Sequence, residues 1–210
     1  MLRLAPASRS GVTTEDIKAD LTQPQLAGIG AVTLAWNEVE FMLDVSLYSG
    51  EGLPADCLLD DLPRRRLDEK IKQLRKAALR WHLRSDCLDA IDSTAAAFSQ
   101  LKDLRNAVVH SRLLDNQTSI GHRVTARGEI YEVLLTTEAL HWLYEQLVFL
   151  RSELRALLAI FDLVRTTAAA ERSGMVAVGQ TDPSGEVLSW LSEVDRCRRG
   201  RQHLGTAPEF

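Results

Sequence analysis

Three side chains able to do chemistry stand close together in the stretch LKDLRNAVVHS, residues 101–111: Arg105, Asn106 and His110, with apolar neighbours on either side. A neutral imidazole can take the proton from a ribose 2′-hydroxyl. A guanidinium fork can bind the phosphate and stabilise charge developing on its oxygens, so the two groups together suit RNA cleavage without a metal. Five residues on a straight helix turn a side chain by roughly 140° and advance it by about 7.5 Å, so Arg105 and His110 do not point at one spot. One phosphate meets both if the helix bends, or if two copies of the stretch face each other across a two-fold axis. The second is preferred, because two-fold dimers are the commonest symmetric assembly. The bland alternative makes Arg105 a solvated helix arginine and His110 a C-terminal residue favoured by the helix dipole.

Read in one-letter form, Arg105 to His110 is RNAVVH. This resembles the R-x4-6-H signature of HEPN domains, commonly written RNxxxH. The stretch WNEVEFMLDV, residues 36–45, also looks like the first long helix of bacterial HEPN-like proteins, and the resemblance covers roughly residues 24–172. It implies a helical bundle and a metal-independent endoribonuclease that works as a homodimer. Arg105 and His110 would be catalytic, with Asn106 as the polar partner supporting them, and no cofactor or metal is implied. The product would carry a 2′,3′-cyclic phosphate. Some HEPN toxins have a tyrosine two residues after the histidine that a partner enzyme modifies. Arg112 stands there in this chain, which argues against control by that route.

The elements that must position these residues read as helices. Residues 1–20 look like a mobile arm. Pro24 suits the first turn of a helix running to Tyr48, with the stripe Val32, Trp36, Val39, Leu43 and Leu47. Glu40 falls on that same stripe, one turn from Trp36, and is costly there unless paired, so it is a candidate to orient Arg105 or His110 from the first helix; the alternative is that it reaches water at the core edge. Pro54 and Pro63 frame a short helical piece, and Pro63 opens a helix to about Leu83 with Leu67, Ile71, Leu74, Ala78 and Trp81 inward. Ser85 can cap the helix that ends in the motif. After Asp115 the period changes to an alternating one, and Ile120, Val124, Ile130, Val133 and Leu135 suggest a small hairpin. Thr136 or Thr137 then opens a helix to about Arg172, whose 3-4 spacing from Leu140 to Val164 predicts packing on two sides. Residues 174–185 read as a linker, 186–197 as a short amphipathic helix, and Arg196 to Arg201 as a basic tail.

Net charge is −4, yet residues 64–84 hold nine basic and two acidic side chains, +7 locally, so the remainder is −11. Arg64, Arg65, Arg66, Lys72, Arg75, Lys76, Arg80 and Arg112 are the candidate contacts to an RNA backbone, against the simpler reading that charges on a helix's outer face only solvate it. Three cysteines, Cys57, Cys87 and Cys197, show no pairing that suggests zinc or a disulfide framework. No apolar run reaches the roughly 20 residues of a membrane span, and no signal-peptide core is seen, so a soluble, cytoplasmic protein is expected.

The sequence therefore predicts an all-α bundle with a small β-hairpin insertion over residues 21–173, preceded by the arm 1–20 and followed by a C-terminal helical appendage, 174–210. The expected activity is RNA cleavage in a bacterial toxin or antiviral-defence setting, with an antitoxin or defence protein as partner. The competing readings are a non-catalytic HEPN-like interaction module and a plain helical scaffold in which RNxxxH is a coincidence.

Overall fold

The computed structural model describes residues 21–52, 65–113, 120–124, 130–172 and 183–205. The expected arm over 1–20 and the short helical piece after Pro54 lie outside them, as do residues 125–129 of the hairpin. The described residues form helices α1 (Gln23–Glu51), α2 (Leu67–Arg80) and α3 (Ser85–His110), strands β1 (Arg112–Leu113), β2 (Ile120–Val124) and β3 (Ile130–Leu134), then helices α4 (Thr137–Arg172) and α5 (Pro183–His203). This is the all-α architecture with a small sheet that the periodicities predict. No described helix is long and apolar enough to cross a membrane.

Two compact units divide the chain, one made of residues up to 36, 99–148 and from 202, the other of 37–98 and 149–201. In the first, α1 starts with a reciprocal cap: Gln25 N–H donates to Thr22 Oγ1 (3.4 Å), and Thr22 N–H donates to Gln25 Oε1 (2.9 Å). Gln25 is buried, and its Nε2 donates to the Leu135 carbonyl at 3.2 Å, tying the helix start to the end of the sheet. The core beneath gathers Val32, Trp36, Leu101, Leu104, Val108, Val133, Leu135, Leu140 and Leu143.

The hairpin is part of a three-stranded antiparallel sheet in the order β1-β2-β3. Its register pairs Ile120 with Leu134 and Gly121 with Val133, so Gly121 and Val133 share a face. That face is the buried one, and Ile120, on the other, is only half-buried. Glycine is needed at the inward position, because a Cβ on Gly121 would stand 2.6 Å from Ser111 Oγ and 2.9 Å from Leu135 Cδ1.

The second unit packs the C-terminal half of α1 with α2, the start of α3, the later part of α4 and most of α5. Leu43, Leu47, Leu74, Ile91, Phe98, Leu150, Leu154, Leu157 and Phe161 fill its core, each nearly inaccessible. Polar groups in it are satisfied in pairs: Ser46 Oγ donates to the carbonyls of Met42 (2.7 Å) and Leu154 (3.3 Å), Ser49 Oγ donates to Asp162, and Trp81 Nε1 donates to the Gly50 carbonyl at 2.6 Å.

Helix α2 ends in a Schellman arrangement, with Leu83 N–H bonded to the Ala78 carbonyl and His82 N–H to that of Leu79. His82 sits at the left-handed position with φ 51°. A Cβ is strained there, so His82→Gly is expected to stabilise the protein by about 0.5–1 kcal/mol, measured by chemical denaturation.

Helix α5 corrects the reading of the C-terminal segment. It starts at Pro183, inside the expected linker, and runs through the expected basic tail to His203. Two contacts explain its length. Gly200 passes so close to α4 that a Cβ would fall 2.5 Å from Phe149 Cε1, and Arg201 reaches into the core to a carboxylate on α4, Glu153. Gly200→Leu is accordingly expected to push the end of α5 off α4, seen as faster amide exchange over residues 194–203 while α1 stays protected.

Candidate functional site

Leu101, Leu104, Ala107 and Val108 are buried and anchor the last turns of α3. Arg105 and Asn106, between those anchors, are half-buried, and His110, the terminal residue of the helix, is exposed. Arg105 Nη1 donates to Asn106 Oδ1 at 3.0 Å. The Arg105 guanidinium carbon lies 6.0 Å from the centroid of the Trp36 ring, within the range of a cation–π contact. Its Nε is buried with no acceptor among the described residues. No described carboxylate pairs with it.

Arg201 shows what a partly buried arginine normally requires. Its Nε and Nη2 donate to Glu153 Oε1 and Oε2 at 2.7 and 3.0 Å, and Thr94 Oγ1 donates to Oε2 at 3.3 Å. Burial raises the Glu153 carboxyl above the usual carboxylate range, while Arg201, Thr94 and Arg198 pull it back down. Arg105 has an amide and an aromatic face in place of a carboxylate, and its charge is left uncompensated within the described chain.

Glu40 is exposed, and among the described residues it takes part in no hydrogen bond or ion pair. Four residues beyond Trp36 the helix has turned about 40° outward, whereas Val39 and Leu43 take the inward arc. A buried carboxylate supporting the motif from the α1 stripe is therefore not what the structure contains. Trp36, read in the sequence as a core residue only, is the α1 side chain that meets Arg105.

The basic segment is more nearly neutral than its composition suggests. Lys70 points inward, its Nζ 2.6 Å from Asp44 Oδ1, with both side chains less than a tenth exposed. Arg65 pairs with Glu51 at 3.5 Å and donates to Gln73. Arg75 Nε donates to Asp92 at 3.0 Å, Arg66 lies 3.7 Å from Asp68, and Arg84 lies 3.1 Å from Asp86. Arg80 donates to the Glu51 carbonyl at 3.5 Å. Lys72 and Lys76 are exposed and have no carboxylate partner among the described residues. Arg64 lies outside the described residues. Arg112 is in β1 opposite His122, and its side chain is not among those described.

The counter-charges to Arg65, Lys70 and Arg75 come from α1 and α3, outside the stretch that a local count covers, whereas Asp68 and Asp86 each stand two residues from the arginine they pair. If these cations meet an RNA backbone, Lys72→Glu with Lys76→Glu will weaken binding of a single strand and reduce the slope of log Kd against log salt by about 1.4, at roughly 0.7 per lost phosphate contact. Reversal of Arg75, which is tied to Asp92, should change that slope less. Filter binding across a salt series measures both.

Cys87 and Cys197 are buried and free, and burial pushes each thiol up to about 11, so neither is a ready nucleophile. Among the described residues no three or more His, Cys, Asp and Glu side chains gather closely enough to hold a metal ion. Compared with family models, with curated proteins and with solved structures, the chain matches none of them.

Proposed function

We propose that this chain is a metal-independent endoribonuclease of the HEPN type, with Arg105 as the phosphate-binding cation and His110 as the proton-transfer group. The observation that carries this reading is the charge on Arg105: a half-buried guanidinium with no carboxylate partner among the described residues, held beside Asn106 and Trp36. Such a cation costs the fold stability unless an anion visits it, and a phosphodiester is the anion that the neighbouring imidazole can act upon. His110, exposed at the helix end, is accessible to a bound strand. Because the two side chains diverge on one helix, the reactive set is completed by a second copy, with the two Arg105 to His110 segments near a two-fold axis. The setting is a cytoplasmic toxin or defence system with a partner that restrains the nuclease. In the test, purified protein is incubated with total RNA in chelator, and sedimentation is run in parallel. Cleavage by a dimer, leaving 2′,3′-cyclic phosphate ends, is expected; an intact RNA pool, or a monomer at all concentrations, removes the reading.

A second reading, a non-catalytic interaction module, is favoured by two observations. Five of the eight described cations over residues 65–84 are paired with carboxylates, and α1 leaves Leu26 and Leu34 exposed at 46 and 67%, apolar side chains open to a protein partner. Binding of a partner through a surface that Arg105→Ala disrupts, without RNA cleavage, would select it.

A further inference from the structure

We infer that Trp36 is a positioning residue for Arg105, holding the guanidinium over its ring so that the charge is fixed in place yet left unneutralised for an RNA phosphodiester. The inference rests on the reading of Arg105 as a phosphate-binding group and extends it to a residue outside the motif, on a different helix. Trp36 is 3% exposed and packed in the core, so its ring is a fixed platform and is closed to a base that might stack on it. The guanidinium carbon stands 6.0 Å from the ring centroid, Nη1 is engaged by Asn106 Oδ1 at 3.0 Å, and Nε is enclosed without an acceptor.

The two contacts, the Trp36 ring and the Asn106 amide, are both electrically neutral. The choice of partner matters. A carboxylate in the place of the ring would hold the arginine more strongly, as Glu153 holds Arg201, but would cancel the charge that a phosphate is to meet. An aromatic face attracts the cation through its quadrupole and adds no net charge. The buried Nε without an acceptor is the cost of this arrangement, and it is the kind of cost that a fold retains where a group must be held for a ligand.

The test uses the full chain and a 2′-O-methyl RNA octamer, which binds but cannot be cleaved through the 2′-oxygen. Three variants are compared with wild type for octamer affinity and thermal stability: Trp36→Leu, Trp36→Phe and Val32→Ala. Val32 is a fully buried neighbour on α1, and its truncation is a control for general loosening of the core. Trp36→Leu is expected to raise Kd by about 5- to 30-fold, the range for loss of a partly desolvated cation–π contact. Trp36→Phe, which keeps an aromatic face, should stay within about 3-fold, and Val32→Ala should bind as wild type does at temperatures where it is folded. The resonance of the Arg105 Nε–H, assigned by its loss in Arg105→Lys, should shift on octamer addition in wild type and Trp36→Phe and stay unmoved in Trp36→Leu.

Wild-type affinity in Trp36→Leu, equal losses in Trp36→Leu and Val32→Ala, or no octamer binding by wild type would each overturn the inference. The two proposals fail separately. If octamer binding depends on Trp36 but wild type cuts no RNA, the ribonuclease reading falls and the positioning role stands. If wild type cuts RNA and Trp36→Leu cuts it equally well, the reverse holds.

Discussion

Replacing Arg201 by alanine is expected to destabilise the protein by about 3–5 kcal/mol, the cost of leaving a buried charge without its partner. For a chain of this length that is a fall of roughly 6–20 °C in melting temperature, read by circular dichroism. The size follows from geometry: Glu153 is 1% exposed and Arg201 13% at the side chain, so water cannot take over when the guanidinium is removed. Thr94 would remain as a single donor. The sign of the pH dependence also follows. Burial already holds the Glu153 carboxyl above its usual range, and loss of Arg201 removes the largest opposing influence and raises it further. A carboxyl raised by folding binds its proton more readily in the native state than in the unfolded one. Its contribution to stability therefore falls as pH rises through the folded value and recovers as pH is lowered. The deficit of Arg201→Ala should be largest at neutral pH and above, and shrink toward the ordinary carboxylate range. Adding Glu153→Gln should restore most of the loss at neutral pH. A variant as stable as wild type at neutral pH would mean that α5 is not held by this pair.

On the ribonuclease reading proposed above, His110→Ala and Arg105→Ala should each lower RNA cleavage by about 10² to 10⁴, the usual loss for a positioned acid–base group, while melting temperature and oligomeric state stay as in wild type. The two are structurally different experiments. His110 is exposed at a helix end, so its truncation removes no packing. Arg105 is half-buried, and its removal deletes a stem as well as a charge but also relieves an enclosed Nε. Arg105→Lys is the sharper probe: it keeps the charge and loses the fork, and a cleavage rate close to that of Arg105→Ala would show that two-point contact with the phosphate matters. If either alanine variant unfolds the protein, both residues are structural and the motif match is a coincidence. If both leave a measured cleavage rate unchanged, the chemistry lies elsewhere.

The helices were legible because their signals are dense. The apolar spacing of α4, from Leu140 to Phe161, repeats often enough that its start at Thr137 and its end at Arg172 agree with expectation, and Thr136 Oγ1 caps the helix by accepting the Ala139 N–H. The motif helix, too, ends at His110 as the pattern indicates. What escaped were the features set by partners distant in sequence. Lys70 counts as one more surface cation until Asp44 is placed against it, and Arg201 reads as frayed until Glu153 is. Glu40 is exposed, although a linear count sets it on the stripe one turn from Trp36. In the candidate site, the adjacency of Arg105 and Asn106 could be read from their order. The contact of Trp36 with Arg105 could not, since a tryptophan on a core stripe carries no mark of which neighbour it touches.

The ties that close the second unit span long stretches of chain. Ser46 bonds to a carbonyl 108 residues further on, Glu38 pairs with Arg151 across 113, and Glu153 waits 48 residues for Arg201. During synthesis at about 5–20 residues per second, α4 would leave the ribosome several seconds before the cation that neutralises its buried carboxylate. For that interval Glu153 has two ways to avoid a lone charge in the core: to take up a proton, or to leave that stretch of α4 undocked. Completion of this unit is therefore governed by the arrival of α5, and a nascent chain stalled before residue 201 should remain open to proteases at α4 even though the helix itself has already been made.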